Sequence, residues 1–137
     1  TLGCQKWASL LFLNIEGNQI TGGIDDSCFR NMPLLHTIIL SNNRLSGPVP
    51  SSLWASTAKD KMVVIHNNMF SGHLPYNDVV SISNDNISWF TAINNRLSCQ
   101  LNSNLAYSKS MTSVVIGNAF SDPLPTWVGD VESFLYV

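Results

Sequence analysis

Short runs of alternating apolar and polar residues recur along the chain, and the clearest lies between residues 35 and 53. Its sequence, LHTIILSNNRLSGPVPSSL, places Leu35, Ile38 and Leu40 before Asn43. Because Ile38 and Leu40 are two positions apart, they predict a short strand that turns both side chains towards a core. Asn43 stands where the chain must leave this strand. Its amide offers donors and an acceptor, so we expect it to pair main-chain groups buried in the bend.

The same order of residues returns at a nearly constant interval. Steps of 25, 25, 27 and 23 residues separate five copies of this anchor asparagine, at Asn18, Asn43, Asn68, Asn95 and Asn118. The second residue after each anchor is apolar in every copy: Ile20, Leu45, Phe70, Leu97 and Phe120. A single unit of this length cannot bury its apolar face alone, so we expect the copies to stack. The sequence therefore predicts one solenoid over residues 1–137, with about five repeats, a partial sixth and a ladder of asparagines, as a fragment of a longer array.

Two copies depart from this order. In the third, Asp60 stands where the first leucine is expected, and we predict an exposed turn before Val63 and Ile65 restore the strand. In the fifth, Ser110 and Ser113 occupy the leucine positions, and the apolar residues are offset by one. A slip of one residue reverses which side chains face the core, so the strand register stays open there.

The spelling L-x-x-L-x-L-x-x-N-x-L-x-G-x-V-P-x-x-L resembles the leucine-rich repeat. The runs LSGPVPSSLW and PLPTWVGDVESFLYV are most similar to the ectodomains of plant receptor-like kinases and receptor-like proteins, and to polygalacturonase-inhibiting proteins. This resemblance implies an α/β right-handed solenoid with a parallel sheet on its concave face, one short strand per repeat, and irregular or short helical returns. It also implies a non-catalytic module, extracellular or at the cell surface, that binds a protein or peptide ligand.

The strand positions that point away from the core are the candidates for partner binding on the concave face. Alternation along the strands assigns them to Asn14, Glu16, Ile39, Ser41, Val64, His66, Thr91 and Ile93, and less firmly to Val114 and Ile116. Ile39, Val64 and Ile93 would form an apolar stripe with Trp89 and Phe12 at its edge. Such a stripe is typical of an interface. The alternative is that β-branched residues merely suit strands.

Composition and charge narrow the expected partners. The net charge is −2 and charged residues make up 12% of the chain, about half the usual quarter. Nucleic-acid binding calls for a basic patch, and a membrane span calls for about twenty apolar residues, neither of which the sequence contains. We therefore expect no nucleic-acid partner, no membrane contact by this segment and no cofactor.

Cysteine spacing and one sequon bear on the cellular compartment. Cys4 and Cys28 are 24 positions apart, so they would lie on adjacent coils about 5 Å apart and could form a disulfide. The alternative is that both are small apolar residues packed in the returns. The three cysteines lack the spacing of a zinc site. The sequence Asn-Ile-Ser makes Asn86 a candidate for glycosylation, which would place the chain in the secretory pathway.

The sequence gives little support to an enzymatic function. No serine or cysteine lies at the spacing from His36, His66 or His73 that a known nucleophilic catalytic motif requires. The adjacent carboxylates Asp25 and Asp26 fit a solvated turn or a helix cap better than a general acid and base. Besides the recognition module, the second class of function that the repeats allow is a structural or scaffold subunit without a signalling role.

Overall fold

The computed structural model describes residues 7–55, 58–74, 87–98, 112–114, 117–120 and 133–135. Ten short strands and two short helices follow one another along these residues. In chain order they are β1 (Phe12–Asn14), β2 (Thr21–Gly22), a 3₁₀ helix (Cys28–Asn31), β3 (Thr37–Ile39), β4 (Arg44–Gly47), α1 (Ser52–Ala55), β5 (Lys61–Val64), β6 (Met69–Gly72), β7 (Ile87–Thr91), β8 (Arg96–Leu97), β9 (Thr112–Val114) and β10 (Ser133–Leu135).

From β1 to β9, successive strands belong in turn to two different parallel sheets, and β10 pairs with β9. The first has six strands in the order β1, β3, β5, β7, β9, β10, and the second has four in the order β2, β4, β6, β8. Neighbouring strands of the six-stranded sheet pair residues one repeat apart, as in Leu13 with Ile38 and Ile38 with Val63. This arrangement confirms the predicted α/β repeat solenoid with a parallel sheet.

The expectation of one strand per repeat was wrong. A second strand follows the anchor asparagine because the residues there also alternate: Arg44 is exposed, and Leu45 is fully buried. Gly47 and Gly72 end two of these strands with a φ of 81°, a left-handed conformation that glycine adopts without strain. The return after β2 contains the 3₁₀ helix, and the return after β4 contains α1.

The core lies between the two sheets and the returns. Ile38, Val63 and Phe90 occupy equivalent positions on β3, β5 and β7, and all three are fully buried. Phe29 packs under the returns, where its main-chain N–H donates to Ser52 Oγ at 3.4 Å. Each coil thus buries its apolar residues against the coils before and after it, as expected for a solenoid.

The anchor asparagines join consecutive coils. Asn68 Nδ2 lies 3.0 Å from the Leu40 carbonyl oxygen of the preceding coil, and Asn68 Oδ1 accepts from the Leu45 N–H at 2.9 Å. Asn43 and Asn95 repeat this pattern, and Asn118 donates to the Ala92 carbonyl at 2.8 Å. Asn18 is exposed and, within the residues that the structure describes, donates to Ile15 and Glu16 of its own coil. Within the stack, these amides pair main-chain groups that the bends leave without a strand partner.

A lysine takes a place in the core at the start of β5. Lys61 is fully buried in register with Ile87, whereas Asp60, expected in the leucine position, is exposed with a φ of 53°. The aliphatic stem of Lys61 fills the space of a leucine, and its ammonium donates to the Leu53 carbonyl at 2.8 Å. Burial lowers the pKa of Lys61 to about 8.

Replacing Asn68 by alanine should destabilise the chain, because the Leu45 N–H and the Leu40 carbonyl would lose a buried partner. We expect the free energy of unfolding in urea to fall by about 1–3 kcal/mol. Asn31→Ala, at an exposed position at the end of the 3₁₀ helix, is the matched control and should change little. Equal losses in the two variants would contradict the structural role of the buried amide.

Lys61 should make stability rise with pH. Its pKa of about 8 in the folded chain lies below the ordinary value of 10.5, so between these values the unfolded chain binds more protons. The free energy of unfolding should therefore increase from about pH 8 to pH 10.5, by about 3 kcal/mol. Below pH 8 the charged ammonium is buried and the penalty is present in full.

The substitution Lys61→Met should remove this rise and stabilise the chain at pH 7, whereas Lys59→Met, at an exposed position, should keep the rise. Chemical unfolding at a series of pH values measures both variants. A wild-type curve that is flat between pH 8 and pH 10.5 would show that the ammonium is hydrated in the folded chain.

Candidate ligand-binding face

The side of the six-stranded sheet turned away from the core is the concave face. Its first column of side chains consists of Phe12, Thr37, Met62 and Trp89, which are Cα partners on β1, β3, β5 and β7. The exposed fractions of Phe12, Met62 and Trp89 are 52%, 39% and 40%. We call these three residues the apolar column. Met62 and Trp89 are neighbours on strands about 4.8 Å apart, and Thr37 on β3 lies between Met62 and Phe12.

The second column lies two residues further along each strand. It contains Asn14, Ile39, Val64 and Thr91, again in register. Asn14 is exposed, Ile39 and Val64 are half-buried, and Thr91 is only 6% exposed. The apolar surface of the concave face is therefore carried more by the first column than by the predicted stripe. Met62 was missed, although it lies two residues before Val64 and must share its face by strand alternation.

The third set of predicted contact positions lies where the strands end. Glu16 is exposed, and His66 and Ile93 are half-buried. The prediction that Ser41 is available to a partner was wrong, because Ser41 is fully buried and its Oγ donates to the Val64 carbonyl at 3.2 Å. A side chain this small lies below its neighbours and is used to join two coils.

A second row of amides runs along the same edge of the sheet. Asn94 Nδ2 donates to Asn67 Oδ1 at 2.9 Å, and Asn67 Nδ2 donates to Asn42 Oδ1 at 2.7 Å. The row ends at Glu16, whose carboxylate accepts from Asn42 Nδ2 at 2.9 Å. The three asparagines have φ between 52° and 56°, a conformation that asparagine tolerates better than most residues. The sequence could have predicted this exposed row, because the dipeptide Asn-Asn recurs in three repeats. Only the second asparagine of each pair was assigned a role, as an anchor.

The ionisable groups at the strand positions of this face are few. Glu16 accepts from the amide row, and His36 Nδ1 lies 2.9 Å from Thr37 Oγ1. Arg44 and Arg96 are exposed at the beginning of β4 and β8, which belong to the other sheet. The concave face therefore offers apolar surface and neutral amides rather than a strong field of one sign.

The two aspartates of the first return have a structural role. Asp25 accepts from the Ser27 N–H at 2.8 Å, and the hydrogen bonds from Ser27 hold the pKa of Asp25 below its ordinary value. Burial raises the pKa of Asp26, but hydrogen bonds from Ser51 and Arg30 outweigh it and leave the pKa lowered. Asp26 also forms an ion pair with Arg30 at 3.2 Å. Both carboxylates thus fix the geometry of the return.

The cysteine and glycosylation predictions fall partly outside the described residues. Cys28 is fully buried and disulfide-bonded. Cys4 and Asn86 lie outside the described residues, so the pairing of Cys4 with Cys28 and the glycosylation of Asn86 stay predictions. The side chains of Val114 and Ile116 also lie outside them.

The described residues lack two kinds of feature, a membrane-spanning helix and a metal-binding cluster. None of the helices there is long and apolar enough to cross a bilayer. That same part of the chain contains no group of three or more His, Cys, Asp or Glu residues that could hold a metal ion.

Comparison with known proteins agrees with the repeat architecture. The sequence model named Leucine Rich Repeat matches residues 9–32 and 34–55. No curated protein sequence matches the chain. Among solved structures, pollen receptor kinase 3 is 25% identical with a TM-score of 0.69, over 88% of this chain and 57% of that one.

Two further solved structures are complexes of plant receptors. The leucine-rich repeat ectodomain of GASSHO1/SCHENGEN3 from Arabidopsis thaliana, bound to Casparian strip integrity factor 2, is 22% identical with a TM-score of 0.79, over 95% of this chain and 15% of that one. The Arabidopsis receptor kinase HAESA, in complex with the peptide hormone IDA and the co-receptor SERK1, is 21% identical with a TM-score of 0.79, over 95% and 22%. At these identities the two show the fold.

The present chain thus spans between 15% and 57% of the length of these three structures. Its repeated asparagines, its two parallel sheets and the matched repeats lead to one conclusion. Two coils of the chain, residues 9–32 and 34–55, match the leucine-rich repeat in sequence, and its fold resembles that of plant receptor ectodomains.

Proposed function

We propose that this chain is a non-catalytic recognition module in the extracellular part of a cell-surface, receptor-like protein, and that it binds a protein or peptide through its concave face. The observation that carries the proposal is the apolar column. Phe12, Met62 and Trp89 expose 52%, 39% and 40% of their surface on one face of one sheet. Met62 and Trp89 are adjacent, and Thr37 alone separates them from Phe12. Exposed apolar residues grouped in this way mark an interaction site, whereas scattered ones do not.

The chemistry of the column suits a protein or peptide partner. Aromatic residues and methionine are enriched at protein interfaces, and tryptophan is common among the residues that dominate binding energy. The strands that hold the column are tied to their neighbours by main-chain hydrogen bonds, such as Met62 N–H to the His36 carbonyl at 2.8 Å. A partner would meet a surface that is already ordered, which lowers the entropy lost on binding.

The edges of the strip add hydrogen-bonding groups without much charge. Asn14 beside the column and the exposed amides of Asn42 and Asn67 can donate to or accept from a peptide main chain. Since apolar burial rather than ion pairing should supply the affinity, raising the salt concentration should weaken binding only slightly.

Separate observations support the proposed extracellular location. A disulfide at Cys28 fits an oxidising environment, as does the sequon at Asn86. Similar solved structures are plant receptor ectodomains, two of which carry peptide or protein partners in their complexes. Because this chain spans only part of their length, its role within a larger receptor belongs to the proposal.

Trp89 should be the main contact for a bound peptide. A random peptide library displayed on phage is panned on the chain, and the enriched peptides are synthesised and titrated by calorimetry. Trp89→Ala should weaken these peptides by about thirtyfold or more, since truncating a central tryptophan costs about 2 kcal/mol or more. Because Trp89 is exposed, the variant should unfold at the wild-type urea concentration.

Trp7→Ala is the matched control. Trp7 is 38% exposed, close to the value for Trp89, but lies outside the six-stranded sheet. Peptides that depend on Trp89 and not on Trp7 support the concave face as the binding surface. Peptides that bind both variants as tightly as the wild type would show that the partner uses another face.

A further inference from the structure

The hydroxyl of Thr91 has no hydrogen-bond partner in the part of the chain that the structure describes. Only 6% of the surface of Thr91 is exposed. Among the described residues, its Oγ1 is the one buried side-chain nitrogen or oxygen atom that has no hydrogen-bond partner. Other buried polar side chains are paired, as in Ser41 Oγ with the Val64 carbonyl and Lys61 Nζ with the Leu53 carbonyl. An orphaned hydroxyl is therefore specific to this position and needs a physical reason.

Thr91 belongs to the concave face and not to the core. Phe90 and Ala92 on either side of it are fully buried core residues, so strand alternation turns Thr91 the other way. It lies in register with Val64 and two residues beyond Trp89. What separates its Oγ1 from solvent is therefore the layer of groups on the concave face, next to the exposed apolar column.

The fold gives no reason for a hydroxyl at this position. The equivalent residues on β3 and β5 are Ile39 and Val64, which are β-branched like threonine and suit the strand equally. Valine has the shape of threonine without the polar atom, and a buried hydroxyl without a partner is unfavourable in the free chain. A partner supplied from outside would remove this penalty only when it is bound.

We infer that Thr91 is the specificity-determining hydrogen-bonding position of the concave site, and that a bound peptide places a neutral hydroxyl or amide against Thr91 Oγ1 beside an apolar side chain packed on Trp89. This inference rests on the proposed function. A threonine hydroxyl both donates and accepts, so it pairs with either group. A charged group is disfavoured because burying it beside Val64 without a counter-charge is costly. Trp89 lies two residues before Thr91 on the same face and is 40% exposed, so a peptide side chain packed on Trp89 would bring its neighbouring groups close to Thr91.

Such a position discriminates among ligands more sharply than the apolar column can. An apolar strip accepts many side chains of similar size, whereas a buried polar group rejects a ligand that leaves it without a partner. The apolar column would then provide affinity, and Thr91 would decide which of the apolar peptides is bound.

The test compares Thr91→Val with Thr91→Ser and with the control Thr37→Val. Thr37 lies on the same face, but its hydroxyl already contacts His36 Nδ1 at 2.9 Å. In the absence of any peptide, Thr91→Val should raise the urea concentration at the midpoint of unfolding, and Thr37→Val should not. For phage-derived peptides whose binding depends on Trp89, Thr91→Val should weaken affinity by about threefold to tenfold. Thr91→Ser should keep most of it, and Thr37→Val should leave it unchanged.

The possible failures separate the two proposals. A lower stability of Thr91→Val would mean that the hydroxyl has a structural partner, and would overturn the inference. Trp89-dependent peptides that bind Thr91→Val as tightly as the wild type would overturn the inference and leave the proposed function standing. A library that yields no Trp89-dependent peptide would overturn the proposed function and the inference with it.

Discussion

The buried asparagine amides are the interaction on which the two-sheet solenoid depends. Asn43, Asn68 and Asn95 each donate to main-chain carbonyls of their own coil and of the coil before it, and each accepts one main-chain N–H of that earlier coil. The chain can therefore leave the six-stranded sheet in a tight bend without leaving buried main-chain N–H and C=O groups unpaired. Since each amide spans two coils, it also fixes how one coil lies on the next.

The order of the concave face is a consequence of this stacking. Each strand is held in register with its neighbour, so Phe12, Met62 and Trp89 lie in one column with Thr37 although they are up to 77 positions apart in sequence. Outside the bends, the exposed amides of Asn42, Asn67 and Asn94 add a second line of hydrogen bonds along the same edge. The surface proposed to bind a partner is thus prearranged by hydrogen bonds between the strands and along the edge of the sheet.

Sequence periodicity predicted the part of the fold that repeats. The spacing of the anchors and the alternation of Ile38 with Leu40 were enough to place the core side of the long sheet, and both residues are fully buried. The second sheet was missed because only one strand was assigned to each repeat, although the exposed Arg44 and the buried Leu45 after the anchor Asn43 also alternate. Lys61 was missed as a core residue because a charged side chain is expected at the surface, although its aliphatic stem is long enough to fill a leucine position.

The details of the site depend on tertiary contacts that a repeat template does not contain. Ser41 and Thr91 both point away from the core, but their neighbours on the concave face bury them. The Ser41 hydroxyl donates to the Val64 carbonyl, whereas the Thr91 hydroxyl has no hydrogen-bond partner among the described residues. Strand position alone does not predict this difference. Met62 could have been assigned by alternation from Val64, whereas the burial of Thr91 could not.

Hydrogen exchange at the main-chain amides of Leu45 and Phe70 tests the role of the asparagines most directly. These two N–H groups donate to Asn68 Oδ1 at 2.9 Å and to Asn95 Oδ1 at 3.0 Å. If the side-chain amides hold the stack together, both should exchange as slowly as the Leu40 and Ile65 amides, which donate to carbonyls of the neighbouring coil, and only through global unfolding. Exchange at the rate of an exposed turn, while Leu40 and Ile65 stay protected, would contradict the account.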